Sequence, residues 1–186
     1  MSLPLPDPPL GDGVIALRPP GDEDLPRIVA VCNDPLVQRF TRIPNPYGVT
    51  EGRDFIKGAR ARRESGASLE LMAVPAGGGE VIGCIGITRD RHDARRVEIG
   101  YWVAPDARGA GVATRSLMLL SRWAIRDAGV LRIDLEAAAG NRGSQVVAER
   151  CGFVLEGTLR DAWHRGPRRE AMLLYSLLPS DLAAET

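Results

Sequence analysis

The segment of this sequence that is best suited to binding a ligand is a short glycine-containing turn. It spans residues 108–113 (RGAGVA) and separates a strand-like stretch at 97–103 from a segment with helical periodicity that begins near Val112. The first turn of a helix has unpaired backbone N–H groups and a partial positive charge, which together bind phosphate or pyrophosphate groups. Glycine lets such a group approach the backbone where a Cβ atom would collide. The sequence therefore predicts a phosphate-binding turn.

A strand and a helix must hold this turn in place. One face of the helix can pack back on the strand, because apolar residues recur at helical spacing at Ala113, Leu117, Leu120 and Ala124. Gly129 is suited to ending the helix, and the next strand is predicted at 131–137. A strand–helix–strand crossover of this kind places its two strands side by side and parallel in one sheet.

Caps, turns and periodicity predict the other elements. Further strands are predicted at 14–18, 69–74, 81–87, 153–159 and 171–178. Further helices are predicted from Asp22 to the Asn-Asp-Pro sequence at 33–35, from Thr50 to Gly66, and from Asn141 to Arg150. This order predicts an α/β fold, with a single mixed, mostly antiparallel sheet of six to seven strands and helices on both faces.

The length and composition limit the possible classes of protein. A chain of 186 residues is expected to form one domain, here at 14–178, with a flexible proline-rich lead at 1–13 and a C-terminal tail at 179–186. The lead lacks the basic and apolar regions of a secretory signal. The 24 basic and 24 acidic side chains balance, so we expect no nucleic-acid or membrane-surface partner. The apolar runs are too short to span a bilayer.

The cysteines and histidines show no metal-binding pattern. Cys32, Cys84 and Cys151 are odd in number and widely spaced, and His92 and His164 are the only histidines. No pair of these residues has the spacing of zinc ligands. We therefore expect no metal, and three buried thiols in a cytoplasmic protein.

Four stretches, in this order along the chain, resemble the GNAT superfamily of acetyl-CoA-dependent N-acetyltransferases. The superfamily signature is Gln or Arg, two residues, Gly, one residue, then Gly or Ala, and Arg108, Gly111 and Ala113 fill these positions. The sequences LRPPGDEDLPRI, EIGYWV, NRGSQVVAERCGF and LRDAW…LLYSLL are similar to the branch that contains bacterial ribosomal-protein N-terminal acetyltransferases. The resemblance covers the chain from about residue 14 to residue 178.

The resemblance implies that the parallel strands splay apart and hold acetyl-CoA, the acetyl donor and co-substrate, between them. The pyrophosphate would lie on the glycine turn, and the pantetheine arm would pair with the free edge of the first strand like an added strand. The residues expected to contact the co-substrate are Trp102, Val103, Arg108, Gly109, Ala110, Gly111, Val112, Ala113, Asn141 and Ser144.

Two side chains are implied as candidates for moving protons. Ser144 matches the hydroxyl that in this branch hydrogen-bonds the departing CoA sulfur, and we expect it to act as a donor to the developing thiolate. Glu98 lies in the strand where several relatives carry a glutamate that takes the amine proton through water. A backbone N–H of the same strand is expected to stabilise the oxyanion.

Each of these residues also has a structural explanation. Asn141 and Ser144 are compatible with helix capping alone, and Glu98 with a solvated strand position. Tyr101 and Trp102 are compatible with strand packing, although Trp102 could also border the co-substrate. His164, near a hairpin, is interpreted as structural.

The expected reaction is direct transfer of acetyl to a primary amine, without a covalent intermediate. A protein or peptide N-terminal amine is the expected acceptor, because its pKa of about 8 demands little help from a base. A small amine, such as an antibiotic or a polyamine, is an alternative acceptor. The acceptor is expected to enter between a loop at 41–49 and a turn at 164–169, near Phe40, Tyr47 and Trp163. The family includes monomers and homodimers, and the sequence does not choose between them.

Two other functions are compatible with parts of the pattern. A sensor that binds acetyl-CoA without catalysis would use the same turn. A dinucleotide-binding protein would use Gly109, Gly111 and Asp134, but Thr114 replaces the third glycine of that fingerprint, and Asp134 lies in the middle of a predicted strand.

Overall fold

The computed structural model describes residues 3–183, so the first two residues of the predicted lead and the last three of the predicted tail lie outside the described part. Within it, the strands are β1 (Ile15–Arg18), β2 (Ser68–Pro75), β3 (Gly83–Arg89), β4 (Arg96–Val103), β5 (Arg132–Ala138), β6 (Val154–Arg165) and β7 (Arg168–Leu177). The α-helices are α1 (Leu25–Cys32), α2 (Pro35–Phe40), α3 (Val49–Ser65), α4 (Val112–Arg126), α5 (Arg142–Arg150) and α6 (Pro179–Ala183).

The strands form a mixed sheet in the order β1-β2-β3-β4-β5-β7-β6. Neighbouring strands are antiparallel except β4 and β5, which the crossover through α4 makes parallel. The predicted α/β class and the predicted parallel pair are both confirmed.

The ladder between β4 and β5 is only three residues long. It pairs residues 96–98 with residues 132–134. Beyond this point β4 stays paired with β3 as far as Val103, and β5 stays paired with β7 as far as Ala138. The two halves of the sheet therefore diverge, and no strand of the described sheet pairs with the β5-facing edge of β4 after Glu98. The splay implied by the family resemblance is confirmed.

Helices cover both faces of the sheet, as predicted. The inward-facing residues Ile85 and Ile87 of β3 share one core cluster with Leu117 and Leu120 of α4. The neighbouring residue Cys84 points to the other face, where it belongs to a second cluster with residues of α1 and β2. Because strand side chains alternate between faces, the sheet separates the two cores while β4 borders both.

Helix α2 is absent from the prediction, because its six residues are too few to show helical periodicity. Asp34 caps this helix, and its carboxylate accepts hydrogen bonds from the N–H groups of Leu36 at 3.0 Å and Val37 at 3.1 Å. Pro35 occupies the first helical position, where a missing N–H costs nothing. The chain therefore turns sharply after α1 and enters the 41–48 loop from a fixed helix end.

Two helix starts differ from the prediction. The N-cap of α3 is Gly48, whose N–H donates to the Glu51 carboxylate at 2.8 Å, so Thr50 lies inside the first turn. Asp22 begins a 3-10 turn, while Asp24 is buried and forms an ion pair with Arg18 at 2.7 Å. In both places an acidic side chain further into the segment makes the capping contact.

The described parts of the predicted lead and tail pack against the domain. Leu3 is fully buried, and its N–H donates to the Arg63 carbonyl at 3.1 Å. The N–H of Leu17 donates to the Leu10 carbonyl at 2.8 Å. In the tail, Leu182 of α6 is buried in the same core as α4. Burial of these leucines joins both segments to the domain.

Replacement of Leu120 by alanine is expected to destabilise the fold strongly. Its side chain is fully buried between α4 and the sheet, so truncation leaves a cavity and should cost about 2–5 kcal/mol in free energy of unfolding. The matched control is Leu131→Ala, at a position 46% exposed, where a change within about 0.5 kcal/mol is expected. Urea unfolding followed by circular dichroism measures both, and equal losses would contradict this account of the core.

Candidate active site

The glycine turn lies at the N-terminus of α4, as predicted. Gly109 and Gly111 have φ angles of 80° and 79°, in the left-handed region that favours glycine. The Arg115 N–H donates to the Gly111 carbonyl at 3.0 Å. The N–H groups of residues 112–114 precede this bond and are the first-turn donors that a helix leaves without intrahelical partners. The geometry is that of an anion-binding helix terminus.

The side chain of Arg108 is directed away from this turn. Its guanidinium forms an ion pair with Asp34, the cap of α2. Burial alone would raise the pKa of Asp34, but the bonds from Arg108 and from the α2 amides lower it on balance. The side chain of Arg108 therefore links the turn to the N-terminus of α2, and only the backbone of Arg108 is left at the turn.

A cavity of about 1620 Å³ follows the opening between β4 and β5. It extends from the glycine turn on one side to α1, α3 and the 41–48 loop on the other. Its wall contains the following residues that were predicted to contact the co-substrate: Trp102, Val103, Arg108, Gly109, Gly111, Val112, Ala113, Asn141 and Ser144. Glu98 also lines it, whereas Ala110 is exposed and does not. The splay thus brings together residues from β4, α4 and α5.

Ser144 and Tyr101 form a hydrogen-bonded pair in this cavity. The two hydroxyl oxygens lie 2.9 Å apart, and either can donate. Burial raises the pKa of Tyr101 to about 12, although the bond with Ser144 opposes this shift. Sequence reasoning interpreted Tyr101 only as strand packing. The sequence did contain a signal for this contact. Alternation along the strand places Tyr101 on the same face as Val97 and Ile99, which is the face that α4 and α5 cover.

Asn141 caps helix α5. Its Oδ1 accepts a hydrogen bond from the Ser144 N–H at 3.2 Å. The structural explanation is therefore correct for this oxygen, and the capping bond does not use the side-chain NH2 group. The same bond fixes the first turn of α5 and with it the position of Ser144.

Glu98 belongs to a cluster of charges at the point where the β4–β5 ladder ends and the opening begins. The Arg42 guanidinium lies 3.5 Å from the Glu98 carboxylate and 3.2 Å from that of Glu136. Burial and the neighbouring Glu136 raise the pKa of Glu98, while Arg42 lowers it. The side chain is half-exposed to the cavity, yet the protein wall around it still disfavours the charge. A carboxylate with a raised pKa is suited to accepting a proton.

The cavity wall contains only some of the residues near which the acceptor was predicted to enter. Phe40, Tyr47 and Trp163 line the cavity together with the 41–44 segment. Residues 164–169 do not line it. His164 instead contacts the Asp161 carbonyl at 2.6 Å and Arg169 at 2.9 Å, which is a local role inside the β6–β7 hairpin.

The dinucleotide-binding alternative does not fit this geometry. Asp134 is bound by Arg96 at 2.5 Å and by Arg132 at 2.8 Å, so its carboxylate has partners within the sheet. The mostly antiparallel sheet also differs from the parallel, doubly wound sheet of that class.

The three cysteines lie in the protein interior and form no disulfide. Cys32, Cys84 and Cys151 are buried and free, as predicted. Burial raises the pKa of Cys32 to about 12, with a smaller opposing effect of Tyr47. Among residues 3–183 no cluster of three His, Cys, Asp or Glu side chains could hold a metal ion. None of the helices in this part of the chain combines the length and apolar character needed to cross a membrane.

Comparison with protein families gives a match over most of the domain. The family model of the acetyltransferase (GNAT) domain matches residues 15–154, from β1 to the start of β6. The chain is also 32% identical over 119 residues to YdaF of Bacillus subtilis, which has the provisional name of a ribosomal N-acetyltransferase. This alignment covers 62% of the chain and 65% of YdaF, so it spans less than two thirds of that relative.

Comparison with solved structures gives matches over nearly the whole chain. Mycobacterium smegmatis RimJ, in complex with CoA-disulfide, has a TM-score of 0.82 and 25% identity, with coverage of 91% of this chain and 84% of RimJ. The spermidine N-acetyltransferase of Vibrio cholerae, in complex with CoA and spermine, has a TM-score of 0.79 and 20% identity, with coverage of 92% and 99%. The second likeness is one of fold alone.

The pKa of Glu98 is expected to respond in opposite directions to its two neighbours. Glu136→Gln removes a negative charge and should lower this pKa, whereas Arg42→Gln removes a positive charge and should raise it. Titration followed by carbon NMR, with Glu98→Gln to assign the signal, measures the shifts. Glu80→Gln, on an exposed turn, is the control and should leave the value unchanged. Shifts of the same sign would refute the proposed charge cluster.

Proposed function

Because the chain belongs to the acetyltransferase (GNAT) domain family, we propose that it transfers the acetyl group of acetyl-CoA to a primary amine. The nitrogen lone pair attacks the thioester carbon, the C–N bond forms, and the C–S bond breaks to release CoA as a thiolate. The observation that carries the proposal is the three-residue ladder between β4 and β5, which leaves an open cavity leading from the helix terminus to Glu98.

The proposed position of acetyl-CoA follows from the donors around this opening. Its phosphates suit the first-turn amides of α4, where a negative charge is favoured. The pantetheine amides suit the free edge of β4, because that edge has unpaired N–H and C=O groups of the kind an added strand uses. The NH2 group of Asn141 is suited to an amide carbonyl of the same arm. A backbone N–H near the end of β4 would face the thioester oxygen and stabilise the oxyanion.

The Ser144–Tyr101 pair is suited to the leaving group. At neutral pH the Tyr101 hydroxyl is protonated, because its pKa is raised to about 12. It can donate to the Ser144 oxygen, which frees the Ser144 proton for a hydrogen bond to the developing thiolate. A thiolate is a stable leaving group, so a donor suffices and complete proton transfer from serine is not required.

Glu98 is suited to receiving the proton that the acceptor ammonium must lose before its nitrogen lone pair can attack the thioester. Its raised pKa brings it closer to that of the amine than an ordinary carboxylate would be. Because Glu98 must be ionised to act, activity should rise as pH increases through this raised pKa.

An N-terminal α-amine, with a pKa of about 8, requires less of the base than a lysine at about 10.4. A protein or peptide N-terminus is therefore our first candidate acceptor, and the ribosomal names of relatives support it.

A polyamine is the second candidate acceptor. The acceptor side of the cavity is lined by several carboxylates, namely Glu51, Asp54, Glu70, Glu98 and Glu136. Arg42 pairs with Glu98 and Glu136, and Arg62 pairs with Glu70, so the five carboxylates still outnumber the two arginines on this side. The remaining negative charge favours a substrate with more than one cation. The spermidine N-acetyltransferase fold supports the same candidate at the level of architecture.

A panel of amines tests the proposed reaction. Purified protein with acetyl-CoA should release thiol faster when ribosomal N-terminal peptides are added, with kcat/KM about tenfold or more above that for spermidine or an aminoglycoside. The N-acetylated peptides are the control and should give background release. A higher kcat/KM for spermidine would favour the second candidate. Release that no amine accelerates, with acetyl-CoA still bound, would favour a sensor and reject the transferase proposal.

Ser144→Ala is expected to lower kcat by roughly tenfold, less than the loss of a true general acid, with unchanged binding of acetyl-CoA. Tyr101→Phe should lower kcat by a smaller factor. The double variant should match Ser144→Ala, because the two hydroxyls are proposed to act through one hydrogen bond. Thiol release gives kcat, calorimetry gives the affinity for acetyl-CoA, and exposed Ser180→Ala is the control. Independent, multiplicative losses at Ser144 and Tyr101 would rule out the relay.

A further inference from the structure

An arginine from a loop lies in the part of the cavity where an acceptor amine would have to react. Arg42 follows α2, and its guanidinium is 3.2 Å from the Glu136 carboxylate and 3.5 Å from that of Glu98. The carbon of the guanidinium is also 5.4 Å from the centre of a Trp163 ring. A cation thus contacts two carboxylates and an aromatic face, which is a common way for proteins to bind ammonium groups.

The two carboxylates are neighbours because of the splayed sheet. Glu98 on β4 is opposite Asp134 in the last pair of the parallel ladder, and Glu136 is two residues further along β5, on the same face as Asp134. Two negative charges at this place repel each other unless a cation lies between them. In the structure Arg42 is that cation.

The contacts of Arg42 are weak enough for its side chain to move away from the two carboxylates. It is 65% exposed, and it lines the cavity together with its two carboxylate partners. Exposed ion pairs of this type contribute little to stability, because water and salt compete with them. A substrate cation that is less exposed when bound between the same carboxylates can therefore replace it.

We propose that Glu98, Glu136 and Trp163 form the subsite for the protonated amine of the acceptor, and that Arg42 is a built-in cation that the acceptor displaces. The inference rests on the proposed transferase function and specifies its substrate class as cationic primary amines. Glu136 is proposed to determine specificity. It attracts the ammonium group of the acceptor, whereas the neighbouring Glu98 is the residue that accepts the proton. Arg42 lowers the apparent affinity for the acceptor, because it occupies the subsite in the free protein.

Calorimetry in the presence of CoA tests this proposal without requiring turnover. The probes are the peptide Ser-Ala-Ala-Ala with a free N-terminal amine and its N-acetylated form. Arg42→Gln should tighten binding of the free-amine peptide by about two- to fivefold, since it removes the competing cation. It should leave binding of the acetylated peptide unchanged. The matched control is Arg60→Gln, which removes the same charge from an exposed pair with Glu64 outside the cavity, and should change neither.

A double variant separates a binding role of Glu136 from a role as an anchor for Arg42. Adding Glu136→Gln to Arg42→Gln should weaken binding of the free-amine peptide several-fold relative to Arg42→Gln alone. The proposal is overturned if Arg42→Gln weakens or does not alter binding of this peptide, if neither variant binds it, or if the second substitution has no effect. Failure of the transferase proposal is a different result, namely amine binding without amine-dependent thiol release.

Discussion

The structure depends on one interruption of backbone pairing. A parallel ladder between β4 and β5 would normally continue for the length of both strands, but it stops after three residue pairs. The outer halves of the sheet keep their own ladders, β4 with β3 and β5 with β7, so the divergence does not break the fold into two parts. As a consequence, the backbone N–H and C=O groups on the β5-facing edge of β4 after Glu98 have no neighbouring strand of the described sheet to pair with. Unpaired backbone groups next to a large opening are available to a ligand with amide groups, and this is the physical basis of the proposed binding mode.

The opening also decides which side chains can meet. In a continuous sheet, groups on opposite faces are separated by the sheet itself. Here Glu98 faces the side of α1 and α3, while Tyr101 is one of the β4 residues that face α4 and α5, and both line the same cavity. The acceptor and the leaving thiol can therefore be handled from different faces, with proton acceptance near Glu98 and proton donation near Ser144. The two polar groups proposed to serve the reaction have opposite requirements, since one would accept a proton and the other would donate a hydrogen bond. The fold gives each its own surroundings: Glu98 lies near another carboxylate, and Ser144 lies beside a buried tyrosine.

Sequence reasoning was successful where the information was local. The strand, the glycine turn and the apolar face of α4 lie within thirty consecutive residues, and the left-handed conformations of Gly109 and Gly111 are typical of glycine. The capping role of Asn141 is also visible within one helical turn. What could not be predicted depends on contacts between distant segments. The Tyr101–Ser144 bond joins residues 43 positions apart, and the Arg42–Glu136 pair joins residues 94 positions apart. Helix α2, at six residues, is shorter than two turns and has no periodicity to detect, although the Asp34-Pro35 pair that starts it is a recognisable N-terminal signal.

The contacts around the 41–48 loop indicate how an acceptor could reach the site. The loop is fixed on both sides of Arg42, since the Arg165 guanidinium donates to the carbonyl of Gln38 and to that of Ile43. The Tyr47 N–H, further along, donates to the side-chain oxygen of Asn33 at 3.2 Å. With its backbone held in this way, Arg42 can leave the two carboxylates by rotating its own side chain, while the loop remains in place. Rotation of an exposed side chain takes place in picoseconds to nanoseconds, far faster than movement of a loop or a domain. Exchange of Arg42 for an acceptor cation therefore requires no lid, and selection at this entrance depends on charge and on the shape of the fixed wall around Trp163.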